Sequence, residues 1–539
     1  MTATQVSRPP YAWADLGGWN LYFLSKIVLA WMGALDVKLL PNLLLLALLL
    51  LPLRRRWMVL ARRVVALPLG IALYYQDTWW PPFDRLLAQP GVLDFTPAYL
   101  WELAGRFVNG TMAMLLLLLL AAYLLLRPWI RFTTLSVAGM LVLAMAALPW
   151  PAWWPVARPA TGVAVAASAA PSAAVDDKAL DTYLAGFLQQ QGTLRTALPE
   201  ATDAAPFDVL LLNICSLAWS DLDEVGMRRN RLLDGMHLIF DNFNSATAYS
   251  GPAAIRLLRA GCGQSSHLGL FEPVPVECEL MGNLRRLGFD SQFAMNHDGH
   301  FDGFTEDLAQ YGGLTAKPMD IESLPRAFEA FDGSPLRRDG EVLSRWWTQR
   351  LAGAEPQAAL FYNTISLHDG NRIVGADARA RPAGFEARAS MVLEDLAGFL
   401  DTLEQSGRRV MVVVVPEHGA ALHGDRMQIP GMRELPSRSI THVPVGVRWI
   451  GMGIPGGGPA RHVAENSSYL AISELVARTY ALNARPDATP SDWGALMAGL
   501  PVTPWVSENE GATVLEYAGR DWLRLKGDRS WSPYPEERP

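Results

Sequence analysis

The chain has 539 residues, half of them hydrophobic, and a formal net charge of −7. That length accommodates two or more domains, and the acidic balance argues against broad nucleic-acid binding. The average conceals a split: the first 150 residues are dominated by Leu, Ala, Val and Trp, whereas the rest reads as a water-facing domain.

Taken in order, the first part reads as five membrane-spanning helices at 18–35, 39–53, 57–75, 108–126 and 132–150. The clearest are LLLLALLLLPL at 43–53 and MLLLLLLAAYLLL at 114–126, apolar runs near the length a bilayer demands. Lys26 and the pair Arg62-Arg63 interrupt two others, and snorkelling from helix ends is expected to place those charges. Arg54–Arg56 with Arg62-Arg63, and Arg127 with Arg131, form two basic connections. The connection 76–107 instead carries Asp77, Asp84, Asp94 and Glu102. The positive-inside rule puts the basic connections and the N-terminus in the cytoplasm, and everything after 150 outside. Trp79-Trp80, Trp150 and Trp153-Trp154 fall at the outer ends, where an aromatic belt is expected. One span would suffice for anchoring, so five suggest lipid access or partner contacts. Within 83–107 the pattern fits an amphipathic helix at the outer surface. Residues 151–180, rich in Ala, Pro, Val and Ser, read as a linker.

The outer domain, 181–539, alternates short apolar runs with helical stretches. Strands are expected at 207–214, 358–365 and 411–415, and helices at 252–260, 386–405 and 467–481. A hairpin is expected at 513–526. Continuous apolar strands between helices predict an α/β domain with a mainly parallel sheet covered on both faces. Chemistry in such sheets collects beyond the carboxyl ends of the strands. Those ends deliver Cys215-Ser216, Glu417-His418 and His368-Asp369. Thiolate, carboxylate and imidazole are zinc ligand types, and Zn²⁺ prefers four ligands in a tetrahedron. Cys215, Glu417 and His418 supply three, and Ser250 is a candidate fourth. In Tyr249-Ser250-Gly251-Pro252, Ser250 reads as an N-cap before the helix-forming AAIRLL, a position whose free N–H groups attract phosphate. The three cysteines allow a Cys262–Cys278 bridge that leaves Cys215 free for metal, or a bridge from Cys215 that would defeat the metal site.

At these residues the sequence resembles a known family. NICSLAWSD at 213–221, FNSATAYSGPAAIRLLRA at 243–260, LHDGN at 367–371, VVVVPEHGAAL at 412–422 and GDRMQIPGMRELPSRSITHVPVGV at 424–447 are similar to the cellulose phosphoethanolamine transferases of bacterial cellulose secretion, the BcsG family. The likeness extends to GGWNLYFL at 17–24 and SWSPYP at 530–535. It implies an alkaline-phosphatase/sulfatase-like outer domain in the periplasm, anchored in the bacterial inner membrane. It further implies Ser250 as nucleophile, zinc held by Cys215, Ser250, Glu417 and His418, and Tyr249, His368 and Arg433 as further active-site residues. A Cys262–Cys278 disulfide is implied as well. The implied donor is phosphatidylethanolamine, the acceptor the 6-hydroxyl of glucosyl units in nascent cellulose, and the partners cellulose synthase and secretion subunits. Against the wider superfamily, Cys215 and Glu417 stand where an acidic residue and Asp are usual, and Arg433 where His is frequent. The number of metals is therefore left open.

Two other readings compete. A hydrolase would release product to water, but a formylglycine sulfatase needs an arginine two places after Pro252, and Ala254 stands there. A scaffold of the secretion machinery would need no intact Cys215, Ser250, Glu417 and His418. His297, His300, His423 and His442 receive no role.

Overall fold

The computed structural model describes residues 16–31, 35, 37–53, 55–77, 95–107, 110–147, 175–202, 204–453, 458–485 and 489–535. The expected tryptophan belt, Arg54, Asp84, Asp94 and linker residues 151–174 lie outside these. The chain divides into two compact units, one of residues 1–86 and 102–171, the other of residues 87–101 and 172–539.

In the first unit, helices Trp19–Trp31, Leu39–Leu50, Arg56–Gln76, Gly110–Leu126 and Phe132–Ala147 stand where the five spans are expected. Among the described residues, only Trp57–Gln76 is long and apolar enough on its own to cross a bilayer; Leu39–Leu50, Ala113–Leu126 and Phe132–Met145 are apolar but shorter. Val64, Ile71, Leu117 and Leu125 are exposed, an apolar exterior that water would disfavour. A further helix, Pro97–Phe107, falls in the stretch expected to be amphipathic, and its residues up to Trp101 belong to the second unit.

Lys26 does not snorkel. It is fully buried and donates to Asp77 Oδ2 at 2.6 Å and Asn42 Oδ1 at 2.7 Å. Asn42 in turn donates to Asp77, and the ammonium lies 4.5 Å from the centre of the Tyr22 ring. A buried ammonium is tolerable only when its charge is matched this closely. Arg62 has a different solution: it donates to the carbonyls of Leu49 and Leu51, capping the preceding helix where backbone acceptors run out.

The second unit is built on a seven-stranded sheet. Its spatial order is Arg461–Val463, Leu238–Asn244, His442–Ile450, Val410–Pro416, Asp208–Ile214, Ala358–Thr364 and Asp290–Met295. Strand His442–Ile450 runs antiparallel to both neighbours; the other pairings are parallel. The sheet is thus mixed rather than parallel throughout. Asp208–Ile214, Ala358–Thr364 and Val410–Pro416 are buried along their whole length. Alternate side chains enter two cores. Val209, Leu211, Met411 and Val413 face one that also contains Ile255, Leu258, Ile472 and Leu475. Leu210, Leu212, Val412 and Val414 face the other, with Val342, Trp346, Val392 and Leu396. Apolar strands covered on both faces have no polar side to alternate, which is why they read as unbroken runs.

Helices Ser250–Leu258, Phe385–Gln405 and Tyr469–Asn483 stand close to expectation, as does the hairpin Ala512–Tyr517 with Arg520–Leu525. Helix Asp177–Thr193 begins inside the stretch expected to be linker, opened by Asp176, whose side chain accepts from Lys178 N. Cys262 and Cys278 are bridged, and Cys215 is free and buried.

Replacing Asp77 with Ala should strand the Lys26 ammonium and cost about 3–5 kcal/mol. The double substitution Lys26→Met/Asp77→Leu should recover most of that loss. Thermal unfolding of the full chain in detergent checks both; equal losses in the single and double variants would contradict the pairing.

Candidate metal centre and nucleophile

Four loops at the carboxyl ends of neighbouring strands build the site, and backbone bonds tie them together. Cys215 N donates to Thr364 O at 2.9 Å, and Glu417 N to Ile214 O at 2.9 Å. Leu217 N donates to His418 O at 2.6 Å, and Gly419 N to Ile440 O at 2.7 Å. Ser216 turns sharply, with φ at +66°, straight after Cys215. A non-glycine residue there is uncommon, and its hydroxyl is held by Arg433 Nη1 at 3.0 Å.

Ser250 is the first helical residue rather than the cap; Tyr249 occupies the N-cap with extended backbone and no side-chain cap bond. The difference follows from the chain entering the helix at Tyr249, which leaves the N–H groups of the first turn unclaimed by a cap. Ser250 Oγ lies 3.3 Å from Cys215 Sγ and 3.2 Å from His418 Nε2. The ligand atoms of Cys215, Glu417 and His418 all fall within 4.8 Å of one another, and all three residues are buried.

Burial sets the electrostatics of this cluster. Burial, then the Glu417 charge, pushes the Cys215 thiol up to about 12. Burial raises the Glu417 carboxyl to about 7, although Ser250, Asn363 and Cys215 pull it down. Glu417 Oε1 accepts from Asn363 Nδ2 at 2.6 Å, whereas Oε2 is buried without a geometrically sound partner. A buried carboxylate oxygen left in this way is costly unless something positive faces it. Burial and the Arg433 charge drive His418 far below its usual range, so its imidazole is neutral. His418 Nδ1 lies 2.9 Å from Gly419 O and donates to it, which leaves Nε2 with a lone pair toward Ser250 and Cys215. Arg433 Nη1 also lies 3.2 Å from His418 Nδ1. Two donors cannot bond each other, so Arg433's hydrogen bond here is the one to Ser216. Sulfur, carboxylate and neutral imidazole, oriented from behind by Asn363 and the Gly419 carbonyl, fit Zn²⁺.

His368 sits on its own strand-end turn. Its Nδ1 donates to Asp369 O at 2.8 Å, and Arg388 holds the His368 carbonyl. Burial first, and then Arg433, lowers its imidazole to about 4. Tyr249 points elsewhere: its hydroxyl donates to Glu434 Oε1 at 3.0 Å.

Three supporting residues escape sequence reasoning. Asn509 accepts from Thr247 Oγ1 and Ala248 N, and donates to the carbonyls of Arg433 and Glu434, so it joins the Ser250 and Arg433 loops. Asp221 accepts from the N–H groups of Ala218, Ala420 and Leu422 and is raised to about 6 by burial. Asn363 links Glu417 to Asn213 and His297. Asp221 closes NICSLAWSD, which was a usable signal. Asn509 lies more than 250 positions from Ser250 in sequence, and nothing marks it.

Fold and site together define a class: an α/β protein in which a serine at a helix N-terminus meets a buried thiol–carboxylate–imidazole cluster. A sequence model of the BcsG N-terminal domain matches residues 19–145, and one of the BcsG C-terminal domain matches 164–531. Cellulose biosynthesis protein BcsG of Escherichia coli (strain K12) is 42% identical over 550 residues, covering 97% of each chain. The Salmonella typhimurium protein of the same name gives the same identity and coverage. The chain therefore belongs to the BcsG family. Distant fold likenesses include an alkaline phosphatase superfamily protein from Vibrio parahaemolyticus, with TM-score 0.44, 12% identity, and coverage of 66% of this chain and 91% of that one. Another is the C-terminal periplasmic domain of Escherichia coli EptC in complex with zinc, with TM-score 0.39, 11% identity, and coverage of 58% and 94%.

At pH 7 the metal-free cluster carries a protonated Cys215 and a Glu417 near half-protonation. Zinc binding to the full chain should therefore release about one to two protons from Cys215 and Glu417, and a further one from the Ser250 hydroxyl where it joins the ligand set, so its affinity rises between pH 6 and 8. An indicator dye in weak buffer measures the release, and Cys215→Ala should lower it by about one proton. Zinc uptake without proton release would contradict the assignment.

Proposed function

We propose that this chain transfers phosphoethanolamine from phosphatidylethanolamine to the 6-hydroxyl of glucosyl units in nascent cellulose, through a covalent intermediate on Ser250. The observation that carries the reading is the position of Ser250 Oγ, at a helix N-terminus and 3.2–3.3 Å from His418 Nε2 and Cys215 Sγ. The residues that would hold zinc are Cys215, Glu417 and His418, with Ser250 completing the set. The ion would favour the ionised form of the Ser250 hydroxyl and neutralise phosphoryl charge.

The chain's own groups do the rest. Ser250 Oγ bonds to phosphorus while the bond from phosphorus to the glycerol oxygen breaks, and diacylglycerol leaves. The N–H groups of the first turn of Ser250–Leu258 and the Arg433 guanidinium face the phosphoryl oxygens. His368 exchanges the proton. As imidazolium, favoured by the anionic phosphodiester, it protonates the leaving oxygen; as imidazole it then takes the proton of the glucosyl hydroxyl. Its Nδ1 bond to Asp369 O leaves Nε2 for that exchange. In the second step the glucosyl oxygen bonds to phosphorus, the phosphorus–Ser250 bond breaks, and His368 regains its proton. Tyr249, hydrogen-bonded to Glu434, shapes the wall beside Ser250.

The family membership and the apolar first unit support a five-span inner-membrane protein, its N-terminus cytoplasmic and its catalytic domain periplasmic. Such spans would bring the site to the lipid donor and meet cellulose synthase or secretion subunits.

Ser250→Ala should leave the fold and most bound zinc in place and reduce phosphoethanolamine on cellulose below detection. Mass spectrometry of wild-type protein quenched during turnover should find phosphoethanolamine on the Ser250 peptide. A Ser250→Ala variant that still modifies cellulose would overturn the nucleophile.

A further inference from the structure

Residues 87–101 lie within the first 150 in sequence, flanked on both sides by the first unit, yet they belong to the second. Their described part reaches the turn that carries His368. Thr96 N and Thr96 Oγ1 both donate to Phe331 O, at 3.1 and 3.2 Å. The Phe331 ring covers the His368 imidazole, with centroids 4.3 Å apart and planes 32° from parallel. Phe95 packs edge-on against Phe331 and Tyr99.

Tyr99 is the focal contact. It is 5% exposed, and its hydroxyl donates to Asp369 Oδ2 at 2.9 Å. The carbonyl of the same Asp369 accepts from His368 Nδ1. Gly370 follows with φ at +81°, and a Cβ there would stand 2.5 Å from the Tyr99 ring and 2.9 Å from Phe331 Cβ. The glycine of LHDGN therefore serves two needs, a left-handed turn and room for this ring. Arg388 and Asn371 hold the carbonyls of Ile365, Ser366 and His368 in the same turn.

We propose that Tyr99 is a positioning residue for His368: its hydroxyl and ring fix the Asp369–Gly370 turn, whose carbonyl orients the imidazole and directs Nε2 to the reacting oxygen. The proposal rests on the reading of His368 as the group that exchanges a proton with that oxygen. It makes the connection between the third and fourth expected spans part of the reaction apparatus, although among the described residues that connection supplies no ligand atom to the Cys215–Glu417–His418 cluster.

Leaving-group dependence separates positioning from stability. Full-length protein in lipid nanodiscs is followed in single turnover with two donors: phosphatidylethanolamine, whose alkoxide leaves poorly, and a nitrophenyl phosphodiester of ethanolamine, whose phenolate leaves without a proton. His368→Ala should slow lipid cleavage by about 100-fold or more and spare nitrophenolate release. Tyr99→Phe, which keeps the ring, should slow lipid cleavage by about 3- to 10-fold, leave nitrophenolate release at the wild-type rate, and add nothing in the His368→Ala background. Tyr99→Ala should be worse on the lipid alone. If His368→Ala shows the selective loss while Tyr99→Phe retains wild-type lipid cleavage, or slows both donors equally, the positioning role is overturned and the His368 reading stands. If His368→Ala itself slows both donors equally, that reading falls and takes the Tyr99 role with it.

Discussion

A buried carboxylate oxygen without a partner is the constraint around which this site is organised. Glu417 is buried beside the Cys215 thiol and the neutral His418 imidazole, its Oε2 lacks a hydrogen-bond partner, and the Arg433 charge acts on it. Without a cation, burial relieves that strain by favouring the protonated carboxyl and thiol, as the raised Glu417 and Cys215 groups show. In the proposed mechanism a divalent cation would face that oxygen and favour the ionised form of the Ser250 hydroxyl.

The surrounding architecture keeps these groups from relaxing apart. Cys215, Glu417 and His368 stand at the ends of three adjacent strands whose backbones are fixed by parallel pairing. Asn363 comes from the neighbouring strand Ala358–Thr364 and holds Glu417, while Asp221 gathers the backbone on either side of the cluster. Asn509 then joins the Ser250 loop to the Arg433 loop from the C-terminal hairpin region. A ligand cluster assembled from such distant positions depends on these polar ties as much as on the core.

Much of this was legible in the sequence, for identifiable reasons. VLLLNI, LFYNT and MVVVVP are strands buried on both faces, so composition alone reveals them. The residues that follow them are the site because parallel strands present one end together. Strand Leu238–Asn244 was invisible: its LIFDNFN pattern mixes polar and aromatic residues, since it lies next to the sheet edge and is partly open. The antiparallel His442–Ile450 was missed for a similar reason, because Pro444 and Gly446 break its run. Lys26 was misread as a snorkelling charge because its partner Asp77 lies 51 positions away, and pairing at that range leaves no local pattern. Tyr99 is a harder case still, an unremarkable tyrosine whose meaning comes from Asp369, 270 positions on.

The proposed chemistry depends on what surrounds the metal. X-ray absorption at the zinc edge, on full-length protein purified without added metal, reads them directly. The expected result is one sulfur at about 2.3 Å and nitrogen or oxygen neighbours near 2.0–2.1 Å, with the sulfur shell lost in Cys215→Ala. A shell of light atoms only, or zinc absent from active protein, would contradict it.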